Sequence, residues 1–570
     1  MLDLLITNGE VVDGTGAARR RADVGVRDGR VVAIGEVSEP ATRTIDADGR
    51  VVAPGFVDVH THYDAQVFWD PTLSPSPLHG VTTVLGGNCG FTIAPLVARE
   101  ADYLMKMLAR VEGMPLDALA AGVPWNWSST AEYYDRFDNT LSVNAGFLVG
   151  HCAIRRVVMG ERSVGEAASE DDLRAMTQLL DESLNAGGLG FSSSWAETHN
   201  DGDGEPVPSR HATAEELYAL CRTTGEHEGT SLEFIPTTRE FTDHHLDVMA
   251  RMSAAAQRPL NWNLLTVSAM NTKFVEDRLA AGNVARDLGA KVVALTIPEP
   301  PRPRMSFLSG FVLDALAGWA KPMSLAAAEK LALLADPVRR RELDEQAQGT
   351  QGLIRAIARW ERHILVETFT PENKKYEGRA IGEVAAERGQ TPFDALCDIA
   401  VADDLRTVFS PPEFGNDRSD WEARAAVWRD GRAVIGASDA GAHLDLLATF
   451  NYTTTTLARA VREHEVVPLE EAVQLMTDVP ARLYGLRDRG RIATGAHADI
   501  VIFDPATVAP GPVSTRADLP TGAARVYGEA EGIDAVVVNG DVIVERGEFT
   551  DARPGTLLRS GRDTQTPPLN

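Results

Sequence analysis

Two histidines stand close together at the end of an apolar run near the start of the sequence. The run reads GFVDVHTH and places His60 and His62 two residues apart. In a strand, residues i and i+2 point to the same side, so both imidazoles are expected to face one direction. Two imidazoles in this arrangement form half of a metal site; a pair of structural or surface histidines is the plainer alternative.

Two further residues carry side chains that bind metal ions. Cys89 lies in GGNCG after a second apolar run, where glycines let the backbone approach an ion closely. Its thiolate suits a borderline-soft ion such as zinc, whereas a buried inert thiol is the alternative. Asp439 lies in AVIGASDAGAH. Its carboxylate is a candidate cation ligand and a candidate general base that takes a proton from water, although an N-cap or turn role is commoner in such a context.

Polar residues also follow the third and fourth apolar runs. His151, in LVGHC, is a candidate catalytic residue that hydrogen-bonds substrate, with a structural histidine as an equal alternative. The loop SSSWAETHNDGDGEPVPSRH, which contains Trp195, His199 and Arg210, is expected to line the substrate pocket. Arg155 is a candidate to bind a substrate carboxylate, against an ordinary salt bridge. The other candidate cations for that carboxylate are Arg156, Arg239 and Lys273.

The composition excludes several classes of partner. The chain has 570 residues, 44% of them hydrophobic, and a net charge of −27. That charge repels phosphate backbones and anionic lipids, and no run of about 18 uncharged apolar residues occurs. Four scattered cysteines fit a reducing compartment better than a disulfide framework. We predict a small-molecule substrate, no nucleic-acid or membrane partner, and a cytoplasmic location, and leave homo-oligomerisation open.

Two patterns of hydrophobicity predict the elements that position these residues. The first fifty residues and the far C-terminus alternate apolar and polar positions between NG and DG turns, which is typical of antiparallel strands. Between them, short apolar runs alternate with helical segments, as in a parallel sheet with helical crossovers. We predict an α/β fold, a TIM-like (β/α)8 barrel with a small β-sandwich formed by the N- and C-terminal segments.

The predicted boundaries follow from the same patterns. Residues 1–54 form the first part of the sandwich, and residues 55–485 form the barrel. An insertion of about 298–431, too long for one crossover, is placed near the barrel mouth. Residues 486–570 complete the sandwich and add a tail.

These segments together resemble the amidohydrolase superfamily, and within it the D-aminoacylase (N-acyl-D-amino-acid deacylase) group. The resemblance rests on LLITNGEVVDGTG, APGFVDVHTHYDAQ, GVTTVLGGNCGFTIAP, GASDAGAH and MTDVPARLYGLRDRGRIATGAHADIVIFDP, which span nearly the whole chain. It implies a metal-bearing barrel with a β-sandwich from both termini, and hydrolysis of a linear amide by a zinc-bound hydroxide. It also implies that Cys89 takes the place of the carboxylated lysine found in other amidohydrolases.

The sequence departs from that group at two metal ligands. The group carries a histidine after strand five and another after strand six, but here these stretches read SLEFIPTTRE and RPLNWNLLTV. Glu233 or Thr237 is the candidate replacement on the first and Asn263 on the second; Glu233 and Asn263 are also candidate substrate contacts. Oxygen ligands of this kind bind zinc less tightly than imidazole does. We therefore expect one zinc ion, firmly bound by His60, His62 and Asp439, with Cys89 as a candidate further ligand. A second ion is left open.

The function expected from this site is metal-dependent hydrolysis of a non-peptide carbon–nitrogen bond. The resemblance favours deacylation of an N-acyl-D-amino acid or a related linear amide. A cyclic amide, an imide or an amidine substrate is the second hypothesis, because the barrel itself does not choose among them. A barrel that binds a ligand without catalysis is the third, motivated by the two missing histidines.

Overall fold

The computed structural model describes residues 1–298, 300–310, 312–351 and 353–569. Its strands are, in chain order, β1 (Leu2–Val11), β2 (Arg20–Arg27), β3 (Arg30–Gly35), β4 (Ala41–Asp46), β5 (Val51–Pro54), β6 (Phe56–Asp58), β7 (Val81–Gly86), β8 (Asn144–Phe147), β9 (Val149–Gly150), β10 (Gly190–Ser194), β11 (Ser231–Ile235), β12 (Leu260–Leu265), β13 (Val292–Thr296), β14 (Ile364–Glu367), β15 (Val408–Ser410), β16 (Ala433–Ile435), β17 (Ile500–Phe503), β18 (Ala509–Arg516), β19 (Arg525–Glu531), β20 (Ile533–Val538), β21 (Asp541–Glu545) and β22 (Glu548–Phe549).

Helices connect most of the central strands. They are, in chain order, α1 (Ala101–Val111), α2 (Leu116–Gly122), α3 (Thr130–Tyr134), α4 (His151–Met159), α5 (Glu170–Asn185), α6 (Ala214–Gly225), α7 (Asp243–Ala256), α8 (Thr272–Asp287), α9 (Ala320–Met323), α10 (Ala327–Ala335), α11 (Pro337–Gln348), α12 (Ile381–Arg388), α13 (Pro392–Ala402), α14 (Arg418–Trp428), α15 (Tyr452–Thr455), α16 (Leu469–Met476) and α17 (Asp478–Leu483). Each helix within the described ranges is too short or too polar to traverse a bilayer.

Both ends of the chain contribute to one small β-sandwich. The strand order is β22-β21-β20-β17-β5-β1-β2-β3. Strand β4 lies off this path and pairs in parallel with residues 2–7 of β1. The junction between the two ends is the antiparallel pair β5–β17, in which Val52 lies opposite Ile502. Ile6 and Val24 from the N-terminal strands share an apolar cluster with Val537. The alternation seen at the two termini therefore belongs to strands that bury one side against a common core.

The central strands are parallel and close into a (β/α)8 barrel. β6, β7 and β8 pair in one row, and β9, β10, β11, β12, β13 and β16 in another; β8 and β9 together fill the third strand position. The last strand meets the first through a parallel bridge between Thr61 and Ala440. The backbone N–H of His62 donates to the carbonyl of Ala440 at 2.7 Å, and that of Asp439 to His60 at 3.0 Å. Closure thus brings the residues after the first and last strands together.

The segment between β13 and β16 forms a subdomain with its own core. It contains the antiparallel pair β14–β15 and the helices α9 to α13. Trp319 and Trp360 stack at 5.5 Å within its apolar cluster. Glu299, Phe311 and Gly352, which fall inside the predicted insertion, lie outside the described residues. Ile297 and Pro301, at its start, line a cavity at the barrel mouth.

A buried histidine joins the barrel to the C-terminal strands. The ring of His79 is fully buried; its Nδ1 lies 2.8 Å from Thr454 Oγ1, and its Nε2 lies 3.2 Å from the carbonyl oxygen of Gly528. A neutral ring satisfies both contacts by donating from Nε2 and accepting at Nδ1. Burial lowers the pKa of His79 to about 4.

This histidine is expected to make stability fall with acid. The unfolded chain takes up a proton near the ordinary histidine pKa of about 6.5, whereas the folded chain resists it down to about 4. The free energy of unfolding should therefore decrease by about 3 kcal/mol as the pH falls from 6.5 toward 4, and His79 should cause no such loss above pH 6.5. Urea unfolding of the wild type and His79→Gln between pH 7 and 4 measures this. An equally steep loss of stability in His79→Gln would contradict it.

Candidate metal centre and active-site cavity

Four side chains that bind metal ions converge at the barrel mouth. His60, His62 and Cys89 each present a ligand atom, and these atoms lie within 4.8 Å of one another. Cys89 Sγ is 3.5 Å from His60 Nε2 and 3.8 Å from His62 Nε2. Asp439 Oδ1 is 3.5 Å from His60 Nε2 and 3.1 Å from His62 Nε2. The structure therefore brings together all four residues for which the sequence predicts metal ligation.

The backbone aims two of these side chains from tight turns. Cys89 follows β7 and has φ 58°, and Asp439 follows β16 and has φ 59°. Both values lie in the left-handed region, which is costly for residues other than glycine and is often found at functional sites. Gly87 has φ 75°, and a Cβ there would lie 2.3 Å from the carbonyl oxygen of Leu148. Glycine at this position lets the Cys89 turn sit directly against the neighbouring strand.

Buried carboxyl groups that pair with no lysine or arginine of the described residues surround the cluster. Burial raises the pKa of Asp64 and that of Glu233 to about 7, and burial together with nearby carboxylates raises the pKa of Glu112. Burial likewise raises the pKa of the Cys89 thiol. Burial works against ionisation of Asp439 too, but hydrogen bonds from the two histidines outweigh it and hold its pKa well below the usual range.

A divalent cation fits this environment. Two imidazoles, a thiol and a carboxylate are a donor set suited to zinc. The positive charge of the ion would balance the carboxyl groups and favour the thiolate over the thiol. His60 Nδ1 is buried without a hydrogen-bond partner, and its Nε2 faces the cluster. The residues present therefore fit the metal that the resemblance implies.

Two buried glutamates lie against the candidate ligands. Glu112, just after α1, has its Oε1 3.2 Å from His62 Nδ1. Glu233, on β11, accepts a hydrogen bond from the Cys89 backbone N–H at 2.8 Å. Its other oxygen accepts from the side-chain amide of Asn263 on β12. Glu233 and Asn263 thus form a linked pair beneath Cys89.

A cavity of about 290 Å³ opens onto the cluster. His60, His62, Cys89 and Asp439 lie on its wall, together with Glu112, His199, Thr237, Asn263 and His443. Asp439 is the most accessible of the four cluster residues, with 31% of its side chain exposed. The candidate general base therefore faces the space in which a substrate would lie.

Two predicted site residues, His151 and Arg155, lie in the core and not on the cavity wall. His151 is fully buried, with Nδ1 2.8 Å from Ser193 Oγ and Nε2 2.8 Å from Glu216 Oε1. Arg155 is also fully buried and donates from Nη1 to both oxygens of Glu216, at 2.5 and 2.6 Å. Neither residue lines the cavity. Both lie on helix α4, and their side chains point into the core, where they contact Glu216.

We expect Arg155 to matter for stability and not for substrate affinity. Arg155→Met removes one partner of a buried ion pair and leaves Glu216 uncompensated, which typically costs about 3–5 kcal/mol of unfolding free energy. The KM of the folded variant should stay within about twofold of the wild type, since Arg155 does not contact the cavity. Denaturant unfolding and steady-state kinetics measure the two effects; an increase in KM on the order of tenfold with unchanged stability would restore the substrate-binding role.

The loop after β10 contributes one of its three predicted pocket residues. His199 lines the cavity, and its Nδ1 lies 2.7 Å from Ser194 Oγ. Trp195 instead packs edge-on against Phe234, outside the cavity lining. Arg210 donates to the carbonyl of His199 at 3.1 Å and so supports that residue from behind. The structure therefore does not bring Trp195 and Arg210 to the cavity wall, where direct substrate contacts were predicted for them.

The sequence did not reveal several residues of the site. Glu112 belongs to no motif, and its approach to His62 depends on a distant element. Asp64 lies in APGFVDVHTHYDAQ, but only the fold shows that it accepts a hydrogen bond from the backbone N–H of Gly87. Arg278, on α8, lines the cavity and is 5% exposed. Its position in an ordinary amphipathic helix offered no signal, whereas Lys273, which was a candidate cation, pairs with Asp277 at 2.6 Å and is 87% exposed.

Comparisons with known proteins agree with this architecture. The amidohydrolase family matches residues 43–544, and the N-terminal domain of the urease alpha-subunit matches residues 1–56. A D-aminoacylase from Alcaligenes xylosoxydans xylosoxydans is 28% identical over 98% of this chain and 97% of its own length. A solved D-aminoacylase, described as having a binuclear metal centre with one-metal activation and second-metal attenuation, is 27% identical with a TM-score of 0.65, covering 98% of this chain and 100% of its own. An N-acyl-D-glutamate deacylase from Bordetella bronchiseptica, complexed with zinc and a phosphonate mimic of the tetrahedral intermediate, is 27% identical with a TM-score of 0.63 and the same coverage.

The family match covers most of the chain, and it includes His60, His62, Cys89 and Asp439. The chain belongs to the amidohydrolase family, metal-dependent hydrolases of carbon–nitrogen bonds other than peptide bonds.

Proposed function

We propose that this amidohydrolase uses one firmly bound zinc ion to deacylate N-acyl-D-amino acids. The observation that carries the proposal is the convergence of His60, His62, Cys89 and Asp439 on one cavity. The relatives named above act on substrates of this class, which supports the choice of a linear amide. The four free, buried cysteines further suit a cytoplasmic enzyme.

The chain's own residues supply the proton transfers. Zinc, when bound, contributes Lewis-acid chemistry, which lowers the pKa of a water molecule and polarises a carbonyl group. Asp439 is ionised, faces the cavity and accepts a proton from the attacking water. The water oxygen adds to the carbonyl carbon, the carbon–nitrogen bond breaks, and Asp439 returns the proton to the departing nitrogen. The products are a carboxylate and a free amino acid.

The buried glutamates lie next to the ligands. Glu112 lies beside His62, and Glu233 holds the turn that presents Cys89 through a hydrogen bond from its backbone N–H. In place of the histidines that the resemblance implies, the strand-five stretch offers Glu233 or Thr237 and the strand-six stretch offers Asn263, and oxygen ligands of this type bind zinc less tightly than imidazole. This difference supports a single firmly bound ion.

A panel of N-acetyl-D- and N-acetyl-L-amino acids, assayed with the zinc-loaded protein, tests the proposal. We expect release of free amino acid from the D series, and release about 10³-fold slower from the Asp439→Asn protein. Ring opening of cyclic amides or imides, or release of ammonia from amidines, without hydrolysis of any acyl amino acid, would instead support the second hypothesis. A zinc-loaded protein that hydrolyses no amide or amidine would support a binding role.

A further inference from the structure

A buried guanidinium faces the same cavity as the metal cluster. Arg278 is 5% exposed and projects from α8. Its guanidinium carbon lies 4.2 Å from the ring centroid of Phe274 and 4.8 Å from that of Phe241. The two rings hold the guanidinium in place through cation–π contacts and exclude water from it. A cation fixed in this way is preorganised, because little side-chain freedom remains to be lost on binding.

The guanidinium keeps hydrogen-bond donors free. Nη2 donates to the carbonyls of Thr238 and Arg239, at 3.1 and 2.5 Å. Nε is buried without a partner, and no described residue accepts a hydrogen bond from Nη1 or forms an ion pair with this side chain. Glu197 is the nearby acid, but it accepts hydrogen bonds from Thr237 Oγ1 and the Thr238 backbone N–H. Burial lowers the pKa of Arg278 to about 10, which still leaves it charged at neutral pH.

A buried cation without an acidic partner lowers the stability of the fold, and binding of an anionic ligand commonly offsets this loss. The cavity wall that includes Arg278 also carries the apolar side chains of Ile235, Leu264 and Ile297. The other candidate cations are committed elsewhere or exposed: Arg239 is 80% exposed and Arg155 is bound to Glu216. Arg278 is thus the guanidinium on the described wall of the cavity that has donors to offer.

We propose that Arg278 binds the α-carboxylate of the N-acyl amino acid and thereby orients its amide toward Asp439. This proposal rests on the proposed deacylase function and adds a specificity-determining residue to it. The planar fork of arginine matches a carboxylate in geometry, and the shared cavity of about 290 Å³ limits the ligand to a small molecule that reaches both groups. A substrate without the carboxylate would leave the guanidinium unpaired and would be rejected.

The test compares N-acetyl-D-leucine with N-acetyl-D-leucinamide, which replaces the carboxylate by a neutral amide. We expect the wild type to prefer the carboxylate substrate by about 10²-fold in kcat/KM. In Arg278→Met, kcat/KM should fall for the carboxylate substrate alone, so that the preference is lost. Arg278→Lys should retain part of it, because the charge remains but the fork does not. Arg286→Met, on the exposed side of the same helix, is the matched control and should keep the full preference.

A purely structural role for Arg278 would reduce hydrolysis of both substrates equally, and that result, or an unchanged preference in Arg278→Met, would overturn the proposal. Calorimetric binding of N-acetyl-D-leucine to zinc-loaded Asp439→Asn protein gives a second readout. Adding Arg278→Met should weaken this binding about 10²-fold. If the wild type hydrolyses no acyl amino acid, the proposed deacylase function fails. Loss of N-acetyl-D-leucine binding in Arg278→Met would still support Arg278 as the residue that binds the carboxylate. Equal or undetectable binding in both proteins would refute it.

Discussion

Asparagine in place of Asp439 is expected to lower kcat about 10³-fold while most of the zinc is retained. The carboxylate is the cavity-facing group that accepts and returns the proton, and general acid–base catalysis of this kind contributes about 10²–10⁴-fold. The amide oxygen of asparagine can still approach the ion, but the group can neither accept nor relay a proton. Its Oδ1 lies between His60 and His62, so the substitution preserves the volume that packs between these rings.

Steady-state kinetics and metal analysis of the same preparation measure both effects. Asp445→Asn is a matched control, because this carboxyl lies on the same segment but lines a different cavity; its kcat should stay within about threefold of the wild type. Near-normal turnover by zinc-loaded Asp439→Asn protein would reject Asp439 as the base. Loss of both zinc and turnover would show that its main role is ligation.

The double variant His60→Ala with His62→Ala is expected to lose zinc and activity together. Protein purified without chelator should contain about one equivalent of zinc, whereas the double variant should contain less than about a tenth, with turnover reduced at least 10³-fold. Removing both imidazoles leaves only Cys89 and Asp439 of the four converging side chains, and two ligands hold zinc poorly. Elemental analysis and kinetics provide the measurement.

The zinc content of the wild type also shows whether the protein binds one ion or two. His79→Gln removes a buried histidine remote from the cavity and should keep the full equivalent, which controls for a general effect of histidine loss. Two tightly held equivalents in the wild type would contradict the single-ion proposal and would assign ligand roles to Glu233 and Asn263. Zinc retained by the double variant at the wild-type level would exclude the His60–His62 pair from the metal site.

The buried carboxyl groups around the cluster favour the binding of a cation there. Glu112, Glu233 and Asp64 are buried carboxyl groups whose pKa values burial raises, and none is matched by a lysine or arginine among the described residues. In the absence of a cation, such groups favour their neutral forms. A divalent ion would allow them to ionise, so metal binding is expected to be coupled to proton release.

Sequence patterns alone predict a large part of this protein. Strand periodicity places His60 and His62 on one side, and apolar runs separated by helical segments predict a parallel barrel, because these features depend on residues close together in the chain. The family resemblance joins Cys89 and Asp439 to the pair, and the structure brings all four together. The barrel and its sandwich are likewise confirmed.

Only the tertiary structure decides which other polar residues reach the cavity. His151 and Arg155 follow a barrel strand, as ligands often do, yet both turn into the core and bind Glu216, which lies on a helix. Glu112 and Arg278 come from helices with no distinguishing motif, yet both line the cavity. The physical reason is that a local pattern determines which side of an element is apolar, whereas the partner of a buried charge depends on how separate elements pack against one another.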